Sequence, residues 1–211
     1  MTNAEANGAL KSKYAADFLE HCALAINKLD VEVLEKAVDL LLKIRNQGGR
    51  VFVVGSGGGA GHASHATCDL RKMCAVEAYA PYDNVSELTA RVNDEGWETT
   101  LVNWLRVSRI NQKDGLLVFS VGGGSAEKNV SMNLVNAADF AKENNAAVIG
   151  VIGKDGGYVS KIADVAIIIP NLFPDLVTPI TEGLQAVIWH LLVSHPRLQI
   201  NQAKWEGMGS H

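Results

Sequence analysis

The sequence predicts an α/β fold, a three-layer arrangement with a parallel sheet covered by helices on both faces and a helical extension at its N-terminus. Short runs of β-branched and aromatic residues, at 51–55, 116–120, 147–152 and 165–169, alternate with stretches of helical periodicity. Three of the runs close on glycine-rich turns: Gly55-Ser56-Gly57-Gly58-Gly59, Gly122-Gly123-Gly124-Ser125 and Gly153-Lys154-Asp155-Gly156-Gly157. Continuous apolar runs suit strands buried on both faces. Glycine turns let backbone N–H groups approach an anion closely. In open parallel sheets ligands gather beyond the carboxyl ends of the strands, where all three turns fall.

Taken in order, residues 4–28 place Ala15, Phe18, Leu19, Cys22, Ala25 and Ile26 at helical spacing. Asp30 suits the cap of a second helix over 31–46, in which Val33, Leu34, Ala37, Val38 and Leu41 share one face. Gly48 and Gly49 stop it. The strand at 51–55, its turn over 55–61 and a helix to residue 73 follow. A short strand near 76–79 ends before Pro81. Helices are expected over 84–92, capped by Asp83, and over 97–108. The strand at 116–120 leads through the second turn into a helix over 125–143. The strand at 147–152 ends on the third turn, and the run at 165–169 ends at Pro170. A last helix spans 178–194 with Pro179 in its first turn. No low-complexity segment divides the chain. The expected organisation is an oligomerising helical extension (1–48), a ligand-binding sheet domain (49–195) and a tail (196–211). The extension's apolar face has two candidate covers, a second copy or the protein's own sheet.

With 211 residues and 47% apolar content, the chain can bury one sizeable core and not two. Its net charge of −4, without a basic stripe, argues against nucleic acid as a partner. It has no apolar run of about 18 residues, and its N-terminus lacks a basic region followed by an apolar one. A soluble, unexported protein with no membrane partner is expected. Cys22, Cys68 and Cys74 lack CxxC spacing, so neither a disulfide framework nor a thiolate zinc site is implied, consistent with a cytoplasmic location.

Chemistry concentrates on two helices. His65 and Asp69 are four residues apart, one turn along a helix face, and Glu182 and His190 are eight apart on the last helix. Two imidazoles and two carboxylates can form a divalent-metal site or an acid/base set. Each has a plainer reading. Asp69 can pair with Arg71 or Lys72, Glu182 can face a helix dipole, and His62 and His195 read as structural or surface residues. The site exists only if both helices converge at the glycine turns.

Here the chain resembles the SIS (sugar isomerase) domain of bacterial phosphoheptose isomerases. Gly55-Ser56-Gly57-Gly58-Gly59 with His65 and Asp69 is similar to that family's GNGGS…HxxxE stretch. Asn93-Asp94 with Gly96 is similar to its NDxG segment, and Ser120 to Ser125 stand in the place of its STSGNS phosphate loop. Gly153-Lys154-Asp155-Gly156-Gly157 with Ala163-Asp164 matches GKDGG…AD. Thr178-Pro179, Glu182 and His190 fall on its terminal, metal-ligating helix. The resemblance covers residues 10–195 and implies a flavodoxin-like or Rossmann-like SIS domain. It further implies isomerisation of sedoheptulose 7-phosphate to a D-glycero-manno-type heptose 7-phosphate, for lipopolysaccharide or capsule heptose synthesis, by a homotetramer. Asp69 would be the base and His190 the acid or ring-opening group. His65, Asp69, Glu182 and His190 would hold one zinc ion. Ser56, Gly57, Gly58, Asn93, Asp94, Ser120, Gly122, Gly123 and Ser125 would bind the phosphorylated sugar.

The departures are specific. Val121 and Gly122 stand where the family's second loop offers two hydroxyls, Ser56 and Gly59 replace an asparagine and a serine, and Asp69 is one methylene shorter than the family's glutamate. Such drift fits an alternative, a non-catalytic sugar-phosphate sensor or adaptor, although the four retained ligand-type residues weigh against it. An isomerase for another phosphosugar, such as a hexulose 6-phosphate, is a second alternative. A dinucleotide binder rests only on a GxGxxA match, and Asp69 comes too early for the ribose-binding acid expected about 20 residues on, though Glu77 lies near that distance.

Overall fold

The computed structural model describes residues 3–207, with side chains over 13–205. Five parallel strands, β1 (Arg50–Gly55), β2 (Glu77–Tyr79), β3 (Gly115–Ser120), β4 (Ala147–Ile152) and β5 (Val165–Ile168), form one sheet in the order β2-β1-β3-β4-β5. This is the flavodoxin-like order, whose direction of winding reverses between β1 and β3. Register pairs Gly55 with Phe119, so the turns after β1 and β3 leave the sheet side by side.

The helices are α1 (Asn3–Ile26), α2 (Val31–Asn46), α3 (Gly58–Cys74), α4 (Val85–Glu95), α5 (Trp97–Val107), α6 (Met132–Glu143), α7 (Gly157–Ile162) and α8 (Val177–Ser194). Strand residues alternate between two cores. Val51, Val53, Leu117, Phe119, Ile149 and Val151 face α2, α3 and α8. Phe52, Val54, Leu116, Val118, Val148 and Ile152 face α5, α6 and α7. Asp30 caps α2 as expected, its carboxylate accepting from the Glu32 and Val33 amides. Leu34, Ala37, Val38, Leu41 and Ile44 of α2 are buried against the sheet, so this half of the extension is a layer of the domain itself. On α1, Ala25 is buried, whereas Tyr14, Leu19, Leu24 and Ile26 are exposed. By length and composition α8 could cross a bilayer, yet Ile180, Leu184, Ile188, Trp189, Leu192 and Val193 are buried in the protein core.

Two expectations about helix starts are corrected. Asn84, not Asp83, caps α4, its side chain accepting from the Glu87 amide; Asp83 instead accepts from Ser64 Oγ at 2.6 Å. The helix expected from residue 125 begins at Met132. Gly123, Gly124, Asn129 and Ser131 all have positive φ, incompatible with a right-handed helix, and Ser125 bridges antiparallel to Val130. The second glycine turn therefore opens into a compact loop, and no helix N-terminus follows it directly.

At the amino ends of the strands, Asp114 is buried and ties β1 to β3. Its carboxylate accepts from the Arg50 amide at 2.8 Å, from Arg50 Nη2 at 2.7 Å, and from the backbone and side chain of Asn111. The Arg50 guanidinium, a quarter exposed, is raised above its ordinary pKa by that carboxylate. Asp114→Ala strands these donors and is expected to cost about 3 kcal/mol in a urea titration, the lower end for breaking a buried pair because Arg50 retains some solvent.

Candidate active site

β1 ends at Gly55, whose amide donates to Tyr82 Oη at 3.0 Å while the Tyr82 hydroxyl donates to the Gly55 carbonyl. Gly57, with φ +59°, turns the chain into α3. A Cβ on Gly58 would lie 2.6 Å from the Glu182 carboxylate, so that carboxylate of α8 rests directly on the start of α3. Farther along the same pair of helices, His65 Nε2 lies 3.4 Å and His190 Nε2 3.6 Å from one oxygen, Asp69 Oδ2. The three potential donor atoms lie within 4.8 Å of one another. Both imidazoles are more than half exposed, whereas Asp69 is largely covered.

Neighbouring groups fix this cluster. His190 Nδ1 lies 2.8 Å from the Ala186 carbonyl, which draws the ring proton to Nδ1 and leaves the Nε2 lone pair facing Asp69. The Trp189 indole N–H donates to Asp69 Oδ2 at 3.3 Å. Two imidazole nitrogens and a carboxylate oxygen, with one ring oriented by a backbone carbonyl, match the donor set and outer support of a divalent transition-metal site with an open position.

Glu182 stands apart from the other three expected ligands, at the glycine turn. The reason is helical rise: Gly58 and His65 are seven residues apart, about 10 Å along α3. His62 lies between the two levels. Its ring packs 4.8 Å from that of Trp189 and 6.0 Å from that of Phe119, and its Nε2 is buried without a partner among the described residues. Burial lowers its pKa below the usual value, with the Glu182 charge and carbonyl opposing. His62, read from sequence as a structural or surface residue, thus adjoins the one candidate carboxylate that the cluster leaves out.

The second turn is built backbone on backbone. A Cβ on Gly123 would fall 1.9 Å from the Gly156 carbonyl, and one on Gly157 would fall 2.1 Å from that of Gly122. The Tyr158 and Val159 amides each donate at 2.9 Å to the carbonyls of Gly124 and Gly123. Ser120 Oγ accepts from the Gly123 amide, Ser125 Oγ from the Lys128 amide and Ser56 Oγ from Asn133 Nδ2. Each hydroxyl therefore keeps its own proton for a ligand. These three serines and Gly122 border a cleft of about 690 Å³, with Lys128, Lys154 and Lys161, and the carboxylates Glu127 and Asp155, around it. None of the three lysines is ion-paired among the described residues.

Gly57, Gly58 and Gly123 shape the turns without lining the cleft. Asn93 and Asp94 are exposed near the end of α4 and bonded to each other at 2.6 Å, and they are not among the residues that line this cleft. A separate open depression, bounded by His65, Asp69, Lys72 and His190, holds the cluster. Of the four expected acid/base residues, His65, Asp69 and His190 meet across α3 and α8, and Glu182 rests at the first glycine turn. Trp189 and the buried Asn133, which joins the first turn to α6, escaped the sequence reading because their partners are 120 and 77 positions away.

A family model described as SIS domain matches residues 13–153. The phosphoheptose isomerase of Helicobacter hepaticus is 30% identical over 164 residues, covering 75% of this chain and 78% of that protein. The chain belongs to the SIS phosphoheptose isomerase family. The SIS match begins within α1, ahead of the sheet. The lincomycin biosynthesis protein LmbN of Streptomyces lincolnensis is 35% identical over 175 residues, and the chain spans 62% of its length. Among solved structures, the phosphoheptose isomerase GmhA from Neisseria gonorrhoeae superposes with a TM-score of 0.75 at 25% identity, over 87% of this chain and 97% of that one.

The depressed His62 pKa gives this SIS domain a pH signature. As pH falls through about 6.5 the unfolded chain takes up a proton that folded His62 resists, so stability falls below that pH. Urea midpoints measured from about pH 7 down to 5 should fall less for His62→Gln than for the parent protein.

Proposed function

We propose that the protein is an aldose–ketose isomerase that converts sedoheptulose 7-phosphate to a D-glycero-manno-type heptose 7-phosphate, with one zinc ion held by His65, Asp69 and His190. The observation that carries this reading is the convergence of three donor atoms within 4.8 Å on two helices of a phosphoheptose isomerase-type SIS domain. The relatives named for phosphoheptose isomerisation support the substrate class. A bound cation would polarise the substrate carbonyl and stabilise developing enediolate charge.

The chain's own groups divide the remaining work. Ser56, Ser120 and Ser125 donate to the phosphate, and Lys128, Lys154 and Lys161 balance its charge in the cleft. The sugar carbons would have to bridge the cleft and the separate depression that holds Asp69, with Glu182 at the first glycine turn. Asp69 uses Oδ2 toward the imidazoles and the indole, leaving Oδ1 to take the proton from C1. The C1–H electron pair then forms the C1–C2 double bond, and the carbonyl electrons move to O2, which is protonated. Loss of the O1 proton forms the new C1 carbonyl, and the carbon proton is returned to C2. No oxidant is needed. With Nδ1 engaged by Ala186, His190 has one nitrogen to offer, which this reading gives to the cation. The ring-opening proton transfer expected of His190 passes to Glu182, whose carboxylate has no hydrogen-bond or ion-pair partner among the described residues.

A homotetramer would complete the site. Val187 and Leu191, exposed on either side of His190, and the exposed apolar residues of α1 are surfaces for a second copy.

Incubation with sedoheptulose 7-phosphate, followed by NMR, is expected to yield the heptose 7-phosphate. Turnover should be lost on chelation, restored by zinc and absent in His190→Ala. Binding without turnover of that ketose and a hexulose 6-phosphate would instead establish a sensor.

Replacing Lys128 or Lys161 by Met removes one charge-assisted phosphate contact. Each variant should show a KM raised about tenfold, with kcat little changed. Steady-state kinetics at low and high salt will check this.

A further inference from the structure

We propose that Trp189 is a positioning residue that fixes the carboxylate of Asp69 and thereby sets how tightly the His65–Asp69–His190 group holds a divalent cation. The inference rests on the metal reading of that group.

One atom carries the geometry. Asp69 Oδ2 faces His65 Nε2 at 3.4 Å, His190 Nε2 at 3.6 Å and the Trp189 indole nitrogen at 3.3 Å. Of these three neighbours, only the indole is an obligate donor. It therefore bonds the carboxylate without competing for a cation. The indole is itself immobilised: Trp189 is 3% exposed, and its ring lies 4.8 Å from His62, 5.3 Å from His65, 4.9 Å from His190 and 5.8 Å from Phe119. A donor that cannot swing holds its acceptor in one orientation.

An aspartate needs such a constraint to present Oδ2 to two imidazoles on different helices. Its short side chain leaves little freedom to recover a misplaced oxygen. Trp189 follows from the same helical turn that presents His190, so one segment of α8 supplies both a ligand and the donor that orients another. Hydrogen-bonding partners of metal ligands typically change cation affinity by about 10–100-fold when removed.

The test uses cobalt(II) as the probe, with the full chain and its Trp189→Phe, Asp69→Ala and doubly substituted variants. Affinity is read by calorimetry, coordination by the visible absorption of bound cobalt, and folding by urea titration. Trp189→Phe keeps an aromatic ring and removes the N–H. It is expected to weaken cobalt binding about 10–100-fold and to alter the spectrum. In the Asp69→Ala background the same change should alter affinity less than about twofold, because its effect acts through the carboxylate. Unchanged affinity in Trp189→Phe would overturn the inference. So would equal weakening with and without Asp69, which would mark Trp189 as packing only. If the parent protein binds no cobalt, the metal reading falls and this inference with it; if only the variant comparison fails, the metal reading stands.

Discussion

The close approach of α8 to the carboxyl ends of the strands is the constraint on which the site depends. Missing side chains permit it at two points. A Cβ on Gly153 would lie 2.2 Å from Thr181 Oγ1, and one on Gly58 would meet the Glu182 carboxylate. Between them Gln185, fully buried, donates to the carbonyls of Ser120 and Val151 and fastens the helix to β3 and β4. Once α8 is seated there, its next turns bring Trp189 and His190 onto Asp69. An added methyl at Gly153 would press against the adjoining backbone and the Thr181 side chain in a densely packed interior, which has little room to relax.

The electrostatic layout separates two tasks. In the cleft, serine hydroxyls and three ammonium groups without ion-pair partners among the described residues outnumber the carboxylates of Glu127 and Asp155, although the chain as a whole is acidic. On the α3–α8 face, one carboxylate and two imidazoles bring three potential ligand atoms within 4.8 Å of one another. The flavodoxin-like order sets the first part of this layout by placing the turns after β1 and β3 beside one another. The two groups of residues lie in separate depressions of one chain.

Much of the fold was legible because local rules act over short distances. Continuous apolar runs located β1, β3, β4 and β5, and Asp30 announced the start of α2. The loop after β3 was misread as helix because residues 125–131 carry few strong breakers, while their left-handed conformations at Asn129 and Ser131 are properties of the folded loop. The i,i+4 pairing of His65 with Asp69 followed from helical spacing alone. His190 reached them only because α8 crosses α3. Glu182 shares a helix with His190 but lies two turns back, so it lands on the glycine turn. Asn93 and Asp94 matched a motif, and in this chain they lie on the exposed surface of α4, outside the lining of the cleft.

The layered α/β class, the glycine turns at the strand ends and the candidate ligand types are legible in the chain's local patterns, because backbone propensity and periodicity are encoded within a few neighbouring residues. Which candidate ligands meet, the bond from Trp189 to Asp69 and the grouping of three lysines around one cleft emerge with the folded chain. Those relations depend on where helices distant in sequence come to rest, and that is decided by packing over the whole core.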